Sequence, residues 1–357
     1  MRQDLRPDPN NLARWLRSVS AGGVRYELSF NPLHAKAGLW FQRLLADLPM
    51  DAAGYGSGSA FRRADTGGPN LITFETEFQG DGENAVLLQS QAQADRVVAN
   101  NSTGGGTTTL VQQTADPGGS GRRVWRHEWD CSLLWGDGTA APGETGRRRA
   151  EFRGPTSAAD LLPYGVEFWA ATSVRLDSSV NWAGMGEGDY IHWFQFHDTA
   201  VGGYNRPSVA GYICAANSQR SGDFPVPPTE SWFMLYEVTN SDQLGIARAV
   251  FPAPPTDTWL YQVMHMKQGP DGAFCKVWHV EEGKAPVLAI DHLAPWGHTD
   301  DAGTEYMKTG MYSPGQYKGA VPVRRFWQDG FVQLRAEDVP GMTPERMVAC
   351  LRDQQRY

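Results

Sequence analysis

The stretch IHWFQFH, residues 191–197, places Gln195 and His197 two residues apart among aromatic rings that read as core. In a β-strand successive side chains point to opposite faces. Strict alternation sets Trp193, Gln195 and His197 on one face, with His192, Phe194 and Phe196 on the other. One side then suits a hydrophobic layer, and the other presents an amide and an imidazole. Whether the chain is a β-protein depends on how often this pattern recurs.

It recurs along most of the chain. LITFETEF (71–78) alternates Ile72, Phe74, Thr76 and Phe78 against Thr73, Glu75 and Glu77. RRVWRHEWD (122–130), RAEFR (149–153), VEFWAATSVRL (166–176), SWFMLYEV (231–238) and TWLYQVMHMK (258–267) follow. AFCKVWHV (273–280), EYMKTGMY (305–312) and RFWQDGFVQL (325–334) complete the series. Clusters of Gly, Pro, Asp and Asn separate these runs, while NNSTGGGTTT (100–109) and GDGTAAPGETG (136–146) read as loops. About ten short strands with irregular turns predict an antiparallel sandwich or jelly roll. No internal repeat is visible.

The first fifty residues read differently. NNLARWLRSV (10–19) and NPLHAKAGLWFQRLLADL (31–48) have a helical look. In the second, Leu33, Ala37, Trp40, Leu44 and Leu48 recur at helical spacing, with Asn31 as N-cap and Pro32 at the first helical position. GYGSGSAFRRADTGG (54–68) then reads as a linker. The expected organisation is a helical N-terminal arm or attachment segment over 1–66, followed by a β-domain over 67–357. Packed on the domain, the helices would form a lid; free of it, they would dock on a larger assembly or mediate oligomerisation.

Composition narrows the partners. A net charge of -8 leaves no basic footprint for nucleic acid. No apolar run approaches a membrane span, and the opening MRQDLRPDPNNLARWLRSVS lacks the core of a secretory signal. A protein acting outside the cell would then leave by another route, such as lysis or carriage on a virion; otherwise it would be cytoplasmic. Cys131, Cys214, Cys275 and Cys350 stand far apart without CxxC spacing, so buried free thiols are expected rather than a zinc ribbon.

Three strands carry an unusual polar side. In RAEFR, Arg149, Glu151 and Arg153 share a face; in YMKTGMY, Tyr306, Lys308, Gly310 and Tyr312 do; and in IHWFQFH, Trp193, Gln195 and His197 do. Solvated faces are ordinarily Lys, Glu, Thr and Ser, so a set of Arg, Gln, His, Lys and Tyr is a costly decoration.

These segments resemble the three signature strands of the jelly-roll polysaccharide lyases. In alginate lyases of family seven they read R-[ST]-E-L-R, Q-[IV]-H and Y-F-K-A-G-[VI]-Y. Here they stand in the same order as RAEFR, QFH and YMKTGMY. The wider block, with VEFWAATSVRL, DTWLYQVMHMK, GAFCKVW and FWQDGFVQL, is similar to heparin lyase I and glucuronan lyase relatives. The resemblance covers roughly residues 70–340. Ala150 departs from the usual Ser/Thr, SPGQ follows Tyr312, and His279-Val280 stands where relatives commonly have Asn-Gly.

What the resemblance implies is an all-β, concanavalin A-like jelly-roll sandwich, to which the apolar spacing of the first fifty residues adds a small helical N-terminal segment. The implied activity is cleavage of a uronic-acid-containing polysaccharide by β-elimination. Removal of the C5 proton stacks negative charge beside the sugar carboxylate, so that carboxylate must be neutralised. Arg149 offers a fixed fork and Gln195 an amide donor for this. His197 or Tyr312 would take the proton; histidine titrates near neutrality, whereas a tyrosinate needs cations such as Arg149 or Lys308 nearby. The resemblance makes Tyr312 the acid, and for some substrate stereochemistries the base too. Lys308, roughly 13 Å from Tyr312 along an extended strand, is better placed to bind a neighbouring uronate. Arg153, Glu151 and Tyr306 would line the same groove, and Trp193 would stack on a sugar ring or lie partly buried in the sheet.

Two rivals stand beside this reading. A sandwich glycoside hydrolase needs two carboxylates flanking the bond, and no E-x-D-x-x-E strand occurs. A glycan-binding or virion structural protein would keep the fold without turnover, and a phage-borne depolymerase would combine both ideas. No cofactor is expected. QGDGEN (79–84) offers a calcium loop or a plain turn, and HLAPWGHTDD (292–301) reads as a loop rather than a metal site.

Overall fold

The computed structural model describes residues 5–21, 24–30, 79–80, 109–120, 123–130, 148–153, 164–185, 190–197, 207–215, 232–240, 245–297, 306–313, 323–328 and 331–353. The architecture is the antiparallel two-sheet sandwich that the alternation predicts. A seven-stranded antiparallel sheet runs β12 (Gly245–Pro252), β11 (Trp232–Thr239), β10 (Val209–Ala215), β9 (Tyr190–His197), β16 (Tyr306–Ser313), β7 (Arg148–Arg153) and β4 (Gln79–Gly80). The facing sheet runs β15 (Val287–His292), β14 (Phe274–Glu281), β13 (Trp259–Lys267), β8 (Glu167–Leu176), β17 (Val323–Gln328), β6 (Arg123–Asp130) and β5 (Thr109–Ala115), with β18 (Phe331–Arg335) also pairing β8. β1 (Leu5–Pro7), β2 (Trp15–Ala21) and β3 (Val24–Phe30) form a small separate sheet.

The layer between the two large sheets is built from alternate residues of each. Phe194, Phe196, Met234 and Tyr236 meet Phe168, Val174, Leu260, Met264 and Val277. Each such side chain contributes about 1.5–3 kcal/mol relative to exposure. Polar contacts also span this layer: the Tyr236 hydroxyl lies 2.7 Å from His279 Nδ1, and Gln328 Nε2 donates to Trp193 O at 2.8 Å. Burial pushes the Tyr236 phenol up, and burial lowers His279 to about 4 despite the opposing charge of Glu281.

The outer side of the eight-stranded sheet is apolar as well. Trp259, Tyr261 and Val263 of β13 point there while Leu260, Met264 and Met266 point inward, which is why that strand reads as almost continuously hydrophobic. Helix α1 (Pro344–Asp353) covers it with Met347, Cys350 and Leu351, an i, i+3, i+4 stripe. Pro344 takes the first helical position, and Thr343 Oγ1 accepts the Arg346 N–H at 3.3 Å.

The N-terminus corrects two expectations. Residues 10–19 are not helical: Trp15 to Ala21 are strand, and Ala21 pairs with Val24. Nor is the beginning of the chain a free arm. Trp15 is fully buried in the cluster that holds Trp259 and Met347, and its indole donates to Pro340 O at 3.0 Å. The expected helix over 31–48, the linker and LITFETEF lie outside the described residues. Cys214, Cys275 and Cys350 are buried free thiols, and Cys131 lies outside the described residues.

Candidate active site

The register brings the three signature strands side by side, with β16 between β9 and β7. Tyr312 pairs with Arg149, Gly310 with Glu151 and Lys308 with Arg153. On the other side of β16, Lys308 pairs with Gln195, Tyr306 with His197 and Tyr312 with His192. Arg149 and Tyr312, more than 150 residues apart in sequence, thus become neighbours.

One bulge rearranges the site. β10 pairs regularly with β9 from Ile213–Ile191 to Tyr212–His192, then resumes at Gly211–Phe194, which leaves Trp193 as an extra residue. An extra residue shifts the alternation by one place. His192 and Gln195 therefore share the outer face, beside Tyr212 and Ala210 of β10. Trp193 turns inward with Phe194. Its ring is wholly buried between the sheets and lies over Gly211, where an added Cβ would stand 2.8 Å from the indole. Trp193 cannot stack on a sugar, and the predicted face shared by Trp193 and Gln195 does not exist. On β16 the matching irregularity falls between Thr309 and Tyr312, where Gly310 adopts φ 131°, a conformation open to glycine.

Two rows result. The first runs Tyr212, His192, Tyr312 and Arg149 across β10, β9, β16 and β7. The His192 ring lies 4.5 Å from that of Tyr212 and 5.0 Å from that of Tyr312, with Tyr190 at 5.6 Å. The second runs Arg248, Glu237, Ala210, Gln195, Lys308 and Arg153 across six strands. Arg248 donates to Glu237 at 2.8 Å, both side chains buried.

His197 falls outside this grouping. Its register partner Tyr306 is six residues from Tyr312, roughly 20 Å along an extended strand. It cannot share a proton-transfer centre with Tyr312; His192 can. Strict alternation puts His192 on the face opposite Gln195, whereas the bulge sets the amide of Gln195 on the same face as His192. The adjacent apolar pair Trp193-Phe194, which interrupts that alternation, was the available signal.

The site is enclosed. Gln195 and His192 keep 1% and 2% of their surface, and Lys308 and Tyr312 keep 6%. These polar groups therefore sit in a low-dielectric environment, where directed donors act more strongly than in water. Among the described residues no group of three or more His, Cys, Asp or Glu could hold a metal, and residues 81–84 of the calcium candidate lie outside them.

No protein-family profile matches the chain, and no curated protein matches it. Solved structures do. An alginate lyase from Pseudomonas aeruginosa aligns at 12% identity and TM-score 0.41, over 73% of this chain and 99% of that one. An alginate lyase from Klebsiella pneumoniae aligns at 10% and 0.39, over 62% and 84%. A β-glucanase catalytic domain from Podospora anserina aligns at 10% and 0.39, over 64% and 81%. These likenesses include both lyases and a glucanase, so they do not select a reaction.

Proposed function

We propose that the protein is a polysaccharide lyase acting by β-elimination on a uronic-acid-containing polymer. The observation that carries the proposal is the row Arg149–Tyr312–His192, with Gln195 and Lys308 in the row beside it. Arg149 and Gln195 neutralise the sugar carboxylate and hold the charge that develops as C5 loses its proton. His192 and Tyr312, ring neighbours at 5.0 Å, are the proton-transfer pair. One takes the C5 proton; C4=C5 forms as C4–O breaks; the departing oxygen receives a proton from the pair. Donors of this kind act on the transition state more than on the ground state. Lys308 and Arg153, opposite each other in register, bind the carboxylate of an adjoining unit.

Among the described residues, the carboxylates that the register places on this face argue against hydrolysis. Glu237 on β11 and Glu151 on β7 are four strands apart, roughly 19 Å at strand spacing. Flanking carboxylates of glycosidases stand about 5–10 Å apart. Glu237 is also committed to Arg248.

The test is to incubate the protein with a panel of polyuronates, glycosaminoglycans and bacterial capsules and follow the ultraviolet absorbance of the unsaturated product. A rise on at least one polymer is expected. Reducing sugar released without that absorbance would identify a hydrolase, and affinity without either signal would identify a glycan-binding protein.

A further inference from the structure

We infer that Gln328, on the facing sheet beneath the site, is a positioning residue: it holds the bulge at Trp193 and thereby keeps His192 and Gln195 on one face. The effect on turnover rests on the lyase reading; the hold itself does not.

At the bulge the ladder gives no support. Trp193 has no register partner on β10, where pairing passes from His192 to Phe194. It has none on β16 either, where pairing passes from Phe194–Thr309 to His192–Tyr312. A buried backbone carbonyl outside the ladder needs another donor. It comes from across the layer: Gln328 Nε2 of β17 donates to Trp193 O at 2.8 Å, and both residues are fully buried. Gln328 follows Phe326 by two residues, so both point between the sheets. Among the described residues, Gln328 Oε1 has no hydrogen-bond partner. An apolar side chain would fill this place without leaving a buried acceptor unpaired. What the amide supplies is the bond to Trp193.

The indole is fixed as well. It sits over Gly211, where an added Cβ would stand 2.8 Å from its Cε2 and Nε1 and 2.9 Å from Gln262 Oε1. Gly211 is therefore needed for space. With the ring seated there and the carbonyl held by Gln328, the extra residue has one arrangement. Releasing the carbonyl frees the peptide between residues 193 and 194 to turn, and the bulge no longer sets His192 and Gln195 in a fixed relation. Gln328 keeps none of its surface, so it cannot touch a sugar and acts through these two residues.

Gln328→Met keeps the shape and removes the donor. On whichever polyuronate wild type cleaves, its turnover should fall by about 10²-fold, the cost of a misplacement of about 1 Å. Gln328→Glu separates positioning from packing. Burial raises the new carboxyl's pKa; protonated, it donates to Trp193 O, and ionised it cannot. Its turnover relative to wild type should therefore rise as the pH is lowered. A Gln328→Met rate equal to wild type, or a Gln328→Glu ratio flat with pH, overturns the inference. Should Gln328→Met fail to fold, the glutamate variant still decides. If wild type cleaves no polymer, the lyase reading falls, and crystal structures of wild type and Gln328→Glu, at low and high pH, test the hold. His192 or Gln195 should leave the outer face when the carboxyl is ionised; a bulge unchanged in every crystal, or absent from wild type, overturns it.

Discussion

The two outer faces of the sandwich are made by the same kind of strand yet do opposite work. On the eight-stranded sheet the outward residues are Trp259, Tyr261, Val263 and Trp169, and helix α1 with the N-terminal Trp15 closes over them. On the seven-stranded sheet the outward residues of β9 and β16 include His192, Gln195, Lys308 and Tyr312. Removing an apolar side chain from the first face leaves a cavity and costs stability. Removing a polar group from the second takes away a donor or proton carrier, while the layer beneath, held by Phe194 and Phe196, keeps its packing. Stability and activity should therefore separate by face.

The largest effect is expected at the proposed proton-transfer pair. Tyr312→Phe and His192→Asn should each lower turnover by about 10²–10⁴-fold, the range of general acid–base catalysis, with the unfolding midpoint little changed. His197→Asn should cost far less, since its register partner is Tyr306. Initial rates of unsaturated-product formation decide this. Equal losses at 192 and 197 would return the reacting histidine to the later position and remove the bulge from the argument.

On the opposite face, Trp15→Ala should lower stability by about 3–5 kcal/mol, because the indole is fully buried and donates to Pro340. The rate per folded molecule should hold. A variant that lost turnover while keeping its denaturation midpoint would erase the division between faces.

Acid separates the layer from the site. Burial holds His279 at about 4 against an ordinary 6.5, so the unfolded chain binds its proton more readily between those values. Its contribution is complete above about pH 6.5 and is lost as pH falls toward 4, up to about 3 kcal/mol in all. Denaturant midpoints from pH 7 to 4 should fall in that window for wild type and less for His279→Gln. Parallel curves would show that His279 is not the titrating group.

How much of this was legible follows from what each strand touches. β13 could be read because Leu260, Met264 and Met266 alternate with Trp259, Tyr261 and Val263, although both sets are apolar. β10, VAGYICA, has every residue buried and so no polar phase to reveal it. RFWQDGFVQL reads as one strand, yet β17 and β18 are separate and both pair with β8. In residues 10–19 the apolar spacing fits a helix, but the pairing with Val24–Phe30 selects the strand. The site shows the same limit. Alternation set Arg149, Gln195, Lys308 and Tyr312 on the polar faces of their strands, whereas His192 required the bulge at Trp193, which the sequence signals only through the adjacent apolar pair Trp193-Phe194.

The smallest effect tests how the apolar face is sealed. Arg346 of α1 donates to Asp8 O at 2.9 Å and to Leu12 O at 3.3 Å, and its guanidinium carbon stands 5.4 Å from the Trp15 ring centroid. The carbonyls it serves belong to the N-terminal segment, so the contact ties the two ends of the chain together over the eight-stranded sheet. Arg346→Ala should cost about 1–2 kcal/mol, the sum of a cation–π contact and partly exposed hydrogen bonds. Arg346→Lys should recover only part of this, since an ammonium cannot reproduce the planar fork. In urea titrations the midpoint should fall with the slope unchanged, because the surface exposed on unfolding is the same. A fall in slope would mean that the N-terminal segment has already left α1 in the native state, and that Trp15 is held by this guanidinium rather than by its own burial.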